Sequence, residues 1–208
     1  MVRMLYTTNI PPLETLIARL DEQTLSAWCA RHGELLDKKG ICESLSALCL
    51  LRSGHPKGTL AYTEKGRPYF VEGGSSFSLS HTEGGVLCAL LEHGERREIR
   101  LGLDAEGRGR RTPEKYDALA ARWFSERERA LYEGAEDREL AFLRIWTGKE
   151  ALVKATGGAL SSIGAADTAA AAEMGFTLFR YDLEDLVVTL ALPSEIAETS
   201  VQWEKISL

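Results

Sequence analysis

The 208 residues predict an α+β fold of two similar halves, residues 1–98 and 99–208, each a small antiparallel sheet with packed helices. Two observations carry this. The chain twice passes through helical periodicity and then changes to short β-like runs, and glycine pairs rather than a long linker punctuate the changes. The length suits one large domain or two halves of about 100 residues each.

Taken in order, Val2–Ile10 predicts a first strand stopped by Pro11-Pro12, and Leu13, Leu16, Ile17 and Leu20 then repeat at helical spacing. Leu25, Trp28 and Cys29 continue an amphipathic pattern, and Ile41, Leu45, Leu48, Cys49 and Arg52 describe a helix ending near Gly54 and Pro56. Strands are expected at Tyr69–Val71, Phe77–Ser80, Val86–Leu91 and Ile99–Leu103, separated by Gly73-Gly74, Gly84-Gly85 and Gly94. Thr112-Pro113 opens another helix, and Ser125-Glu-Arg-Glu128 fits a capping box at the start of the next. The longest helix is expected from Asp137 to Thr156, stopped by Gly157-Gly158, with a helix or loop turn at Ala165–Ala172. Strands at Phe176–Asp182, Leu186–Leu192 and Val201–Ile206 complete the second half.

Composition narrows the function classes. With 25 Lys and Arg against 31 Asp and Glu the net charge is −6, so a nucleic-acid binder working through its overall field is excluded. No stretch approaches the ~18 apolar residues of a membrane span, and the first residues lack the apolar core of a secretory signal, so a cytoplasmic protein is expected. Cys29, Cys42, Cys49 and Cys88 contain no C-x-x-C pair and read as reduced, mostly buried thiols.

Several residues are candidates for chemistry. Asp104 and Glu106 are two apart, so a strand that continues through them sends both carboxylates to one face, where a hard cation such as Mg²⁺ relieves their repulsion. Taken alone, a D-x-E at a strand end is more often a solvated edge. Glu150 and Lys154 are four apart on the long helix and share a face with Trp146; most such pairs are surface ion pairs, but the tryptophan places this one at the rim of a buried face. His81 follows Ser80 at a strand end ahead of Gly84-Gly85, a setting of hydroxyl, imidazole and loop amides suited to a phosphate. Lys65-Gly-Arg-Pro68 adds two cations on a turn. Gly54–Thr59 lacks the order of a phosphate loop, and Gly107-Arg-Gly-Arg-Arg111 is too short for nucleic acid, though it can draw an anionic substrate or partner to the carboxylate edge.

The order and spacing of Gly66-Arg-Pro68, Phe77-Ser-Leu-Ser-His81, Gly102-Leu-Asp-Ala-Glu106, Phe124-Ser-Glu-Arg-Glu128 and Trp146-x-x-Lys-Glu-Ala-Leu-x-Lys154, followed by Gly157-Gly-x-Leu160, resembles the 4′-phosphopantetheinyl transferases, in particular the larger monomeric type that activates peptide and polyketide synthases. The resemblance spans about Lys65 to Leu160. It implies two pseudo-symmetric halves with coenzyme A in the cleft between them, the nucleotide on the first half and the metal and catalytic residues on the second. It implies transfer of the phosphopantetheine arm of coenzyme A to a serine of an apo acyl or peptidyl carrier protein, with Mg²⁺ held by Asp104, Glu106 and Glu150. Glu150 is also the implied general base and Lys154 the group that stabilises the leaving bisphosphate, while Ser80, His81 and Arg67 hold the coenzyme. One position departs from the pattern: Glu43 stands nine residues before Arg52, where these enzymes carry an arginine for the 3′-phosphate, and Lys38 and Lys39 are the candidates to compensate. The rivals are another Mg²⁺-dependent phosphotransferase or hydrolase and a non-catalytic module that binds coenzyme A or a carrier.

Overall fold

The computed structural model describes residues 1–32, 37–94 and 99–208, apart from the side chain of Leu160. They form two compact units, Met1–Ile99 with Thr199–Leu208, and Arg100–Glu198. The expected boundary at residue 98 lies outside the described residues.

The first unit is built on a four-stranded sheet. β1 (Val2–Thr7) stops short of the expected Ile10 because the Thr7 hydroxyl turns the chain, accepting from Asn9 N at 3.3 Å. The helices α1 (Leu13–Arg19), α2 (Glu22–His32) and α3 (Lys38–Gly54) follow. A two-stranded ribbon of β2 (Leu60–Tyr62) and β3 (Pro68–Phe70) leads into a hairpin of β4 (Ser75–Thr82) and β5 (Gly85–Glu92). β5 pairs antiparallel with β1, Leu5 opposite Cys88. The expectation of a purely antiparallel sheet fails on the far side of β1, where β9 (Val201–Lys205) adds in parallel with Met4 opposite Trp203. Parallel neighbours need a long crossover, and here the chain between β1 and β9 carries the rest of the first unit and the entire second unit.

α3 covers this sheet through Leu45, Leu48, Cys49 and Leu51, which meet Leu5, Phe77 and Leu90 in one buried cluster. Each fully buried leucine is worth about 1.5–3 kcal/mol, so this face dominates the unit's stability. Cys49 and Cys88 lie inside, where desolvation pushes the Cys49 thiol up to about 11 and raises Cys88 as well. Cys42 is half-buried and Cys29 exposed, so only two of the four match the expected buried thiols.

The second unit starts with β6 (Gly102–Gly107), three residues later than the expected strand at Ile99, whose N–H goes to the Ser76 hydroxyl at 2.9 Å. The helices α4 (Pro113–Trp123), α5 (Glu126–Glu133) and α6 (Arg138–Thr156) precede β7 (Phe176–Leu183) and β8 (Leu186–Pro193), which complete an antiparallel sheet in the order β6-β8-β7. The Ala-rich stretch is spanned by 3-10 turns at Leu160–Ala165 and Thr168–Ala170. Ser125 and Glu128 form both halves of the capping box at α5. Asp137 caps α6 by accepting from Leu140 N at 2.9 Å, and Gly157, at φ 69°, ends it in the left-handed conformation. α6 lies against β6 so closely that a Cβ on Gly102 would land on the carbonyl oxygen of Ala151.

Candidate active site

β6 does continue through the D-x-E pair. Gly102, Asp104 and Glu106 therefore share one face, and the Gly102–Ala151 approach identifies it as the face under α6. α6 presents Glu150 and Lys154 toward that face, one turn apart. Lys154 reaches across to the strand rather than serving as a simple surface partner of Glu150: its Nζ donates to Asp104 Oδ1 at 2.7 Å and to the Leu103 carbonyl at 2.8 Å. Asp104 is 4% exposed, so this bond is made in a poorly hydrated place. Glu106 accepts from Arg111 Nη2 at 3.0 Å. Glu150 is the group most affected by the crowding. Burial is the first cause that lifts its carboxyl, to about 8; the negative field of Asp104 adds to it, Lys154 opposes it, and Glu106 pushes further up.

The same helix carries a second lysine in a different setting. Lys149 is fully buried, donating to Glu128 Oε2 at 2.7 Å and to the Ala166 carbonyl, and Glu128 also accepts from Thr168 N at 2.8 Å, Thr168 Oγ1 at 2.9 Å and Ser125 N at 2.9 Å. These bonds lock the 3-10 segment against α5 and α6. Next to them, Phe142 stacks on Phe124 and Trp146, with centroids 5.1 and 5.7 Å apart.

The first unit holds the remaining sequence-predicted residues, and it separates some that were expected together. Adjacent strand positions face opposite ways, so β4 buries Ser80 and exposes His81. His81 Nδ1 lies 3.4 Å from Glu43 Oε2, and Lys39 lies 3.9 Å from the other oxygen of the same carboxylate. Lys38 and Lys39 are exposed in the first turn of α3. Arg67 sits on the β2–β3 turn, its backbone N–H held by Thr63 Oγ1 at 3.1 Å. Gly66 in that turn, at φ 86°, is packed under the Arg31 guanidinium, a neighbour from a distant helix that local spacing does not predict. Arg52 is occupied structurally: it bonds Thr24 Oγ1 at 2.9 and 2.6 Å and the carbonyls of Lys57 and Gly58, with Asp21 at 3.3 Å. This leaves little of it to offer a phosphate.

Arg111 is the residue that reading along the chain missed as a member of the site. Its signal was present, five residues beyond Glu106 in a run of cations, but nothing in the spacing says which arginine turns inward. Among the described residues no three His, Cys, Asp or Glu side chains converge as a ready-made metal cage.

Residues 100–187, which hold every group from Asp104 to Lys154, match the 4′-phosphopantetheinyl transferase superfamily. The chain is 30% identical over 155 residues, 73% of its length and 77% of the relative's, to the 4′-phosphopantetheinyl transferase AcpT of Salmonella typhimurium. It is 30% identical over 151 residues to AcpT of Escherichia coli K12, covering 71% of this chain and 74% of that one. It is 34% identical over 108 residues to the 4′-phosphopantetheinyl transferase HetI of Nostoc sp., 49% and 43% of the respective chains. With its acidic strand and lysine-bearing helix inside the matched region, the chain belongs to the 4′-phosphopantetheinyl transferase superfamily and is an enzyme of that class.

Proposed function

We propose that the protein moves the 4′-phosphopantetheine arm of coenzyme A to the serine hydroxyl of an apo acyl or peptidyl carrier protein, releasing adenosine 3′,5′-bisphosphate. The observation that carries this reading is the bond from Lys154 of α6 to Asp104 of β6, with Glu150 of the same helix in the fields of Asp104 and Glu106. The donors suit Mg²⁺: all are hard carboxylate oxygens, and besides the burial that chiefly raises the Glu150 pKa, the fields of Asp104 and Glu106 push it the same way, a repulsion that a divalent cation relieves. Asp104, Glu106 and Glu150 are the residues to hold it, and when bound it supplies charge screening on the pyrophosphate.

The chain's own groups then divide the work. Glu150, which would be ionised with a cation beside it, takes the proton of the carrier serine as the serine oxygen bonds to the β-phosphorus, and the bond from that phosphorus to the 5′-phosphate oxygen breaks. The leaving bisphosphate keeps the electron pair, and the Lys154 ammonium stabilises the charge that collects there. His81, Arg67, Ser80, Lys38 and Lys39 bind the coenzyme, as part of a larger reading in which two pseudo-symmetric halves enclose it and the enzyme works as a cytoplasmic monomer of the type serving peptide and polyketide synthases. Ser80 contributes from the buried side of β4 and His81 from the exposed side, so their contacts with one ligand are made separately.

The test is incubation with coenzyme A, Mg²⁺ and a panel of apo carrier domains, followed by intact mass. A gain of one phosphopantetheine on at least one carrier, lost when its serine is replaced by alanine, is expected. Unchanged masses across a panel that a control transferase modifies would sink the proposal.

A further inference from the structure

The turn that follows β6 is pinned from the outside. Arg108 bonds Asp137 at 2.6 Å, Gly109 N donates to Glu139 Oε1 at 2.6 Å, and the Tyr116 hydroxyl donates to that same oxygen at 2.7 Å. The turn is thereby fastened to the start of α6, and Arg111 at its end is delivered to the carboxylates. Arg111 Nη2 bonds Glu106 Oε1, with side chains 26% and 17% exposed. Its other terminal nitrogen, Nη1, is enclosed and has no hydrogen-bond partner among the described residues. Burial opposes the charge on Arg111, but the hydrogen bond and field of Glu106, followed by the fields of Tyr116 and Glu150, outweigh it and raise its pKa. With Lys154 on Asp104, both carboxylates of β6 hold a cation of the chain itself.

We infer that Arg111 is a coenzyme-binding residue that stands in for a divalent cation on Glu106 in the free enzyme and moves onto a phosphate oxygen when coenzyme A binds, so that metal and coenzyme are taken up together. The inference rests on the functional reading above. Its physical basis is competition. A guanidinium is a rigid fork with donors on more than one side, and a phosphate offers it several acceptor oxygens, whereas Glu106 engages only one of its terminal nitrogens. A cation cannot take Glu106 at full strength while Arg111 holds it. A coenzyme phosphate that draws Arg111 away frees the carboxylate, and by linkage a bound cation favours the coenzyme to the same extent.

The experiment measures binding rather than turnover. Mn²⁺ is titrated into the wild-type protein and Arg111→Gln, with and without coenzyme A, and free Mn²⁺ is read by electron paramagnetic resonance. Coenzyme A binding is measured separately by calorimetry in EDTA. Arg111→Gln is expected to bind Mn²⁺ alone about tenfold more tightly than wild type, to lose most of the gain that coenzyme A gives, and to hold coenzyme A about tenfold more weakly in EDTA. A folded Arg111→Gln protein that binds Mn²⁺ alone no more tightly than wild type, or that keeps wild-type coenzyme affinity in EDTA, overturns the inference. If that variant does not fold, Arg111→Lys decides: it keeps the charge on Glu106 but lacks the second donor side, so Mn²⁺ affinity should hold while coenzyme affinity falls, and no loss of coenzyme affinity overturns it. Wild-type transfer to an apo carrier is scored in the same preparation. Its absence counts against the functional reading; its presence with either negative result counts against the role of Arg111 alone.

Discussion

Two lysines five residues apart on α6 make ion pairs of nearly equal length, Lys149 with Glu128 and Lys154 with Asp104, both at 2.7 Å. The Lys149 pair is sealed. Neither side chain has any exposed surface, and Glu128 collects bonds from Lys149, Ser125 and Thr168 while Lys149 also reaches Ala166. The Lys154 side chain is 29% exposed, and beside it burial first, then the fields of Asp104 and Glu106, raise the pKa of Glu150. What separates a structural pair from a chemical one is thus the state of the surroundings rather than the length of the bond. Where every donor and acceptor is satisfied, the charge has no further work; where carboxylates outnumber satisfied contacts, the site is set up to take something in.

The contrast breaks most visibly at Lys149. Lys149→Met leaves Glu128 buried without its cation and should cost about 3–5 kcal/mol of stability, read as a lowered urea midpoint at unchanged slope. A midpoint equal to wild type would mean the sealed pair is not structural. Glu150→Gln tests the other side. It should reduce single-turnover transfer by about 10²- to 10⁴-fold, at saturating metal, while stability stays level or rises. Recovery of rate in step with coenzyme binding as metal is raised would reduce Glu150 to a ligand. Asp104→Asn sharpens the comparison further: transfer should be lost, but the urea midpoint should move far less than in Lys149→Met, because the carboxylate it removes repels Glu150 as well as attracting Lys154. A loss as large as that at Lys149 would erase the distinction.

The smallest effect is expected at the start of the helix that carries both lysines. Asp137→Ala should cost about 1 kcal/mol through the lost N-cap. The Asp137 carboxyl is held below its usual range by the Leu140 N–H first and the Arg108 guanidinium second. A depressed folded pKa gives stability that is present above the unfolded value of 3.8 and disappears as pH falls through the folded one. The difference between wild type and Asp137→Ala should therefore persist from neutral pH down to about 4 and shrink below it. A difference that grows on acidification would contradict the cap.

Much of this was legible because it is local. Ser125 and Glu128 announce their capping box within four residues, Gly157 ends α6 where the sequence suggested, and the two-residue spacing of Asp104 and Glu106 needed only a continuing strand to put both on one face. The misreadings are non-local. Ile99 looked like strand by its neighbours, but its N–H is claimed by Ser76, which no window around residue 99 contains. One exception is local: Ser80 and His81 are adjacent in sequence and opposed in space because the strand alternates. Glu43 meets His81 from a different element, and Arg111 could be told from Arg108 and Arg110 only by knowing that Asp137 and Glu139 pin the turn. Spacing along the chain found the carboxylates; tertiary contacts were needed to find what holds them.

The parallel pairing of β9 with β1 bears on the order in which the molecule can be made. Val2–Thr7 leaves the ribosome before residues 201–205, so one edge of that strand has no neighbour until the later segment emerges. Every element of the second unit, including α6 and its sealed ion pair, is synthesised before then. The second unit is free to reach its final structure while the first still waits for β9, so of the two units the one begun earlier is completed later.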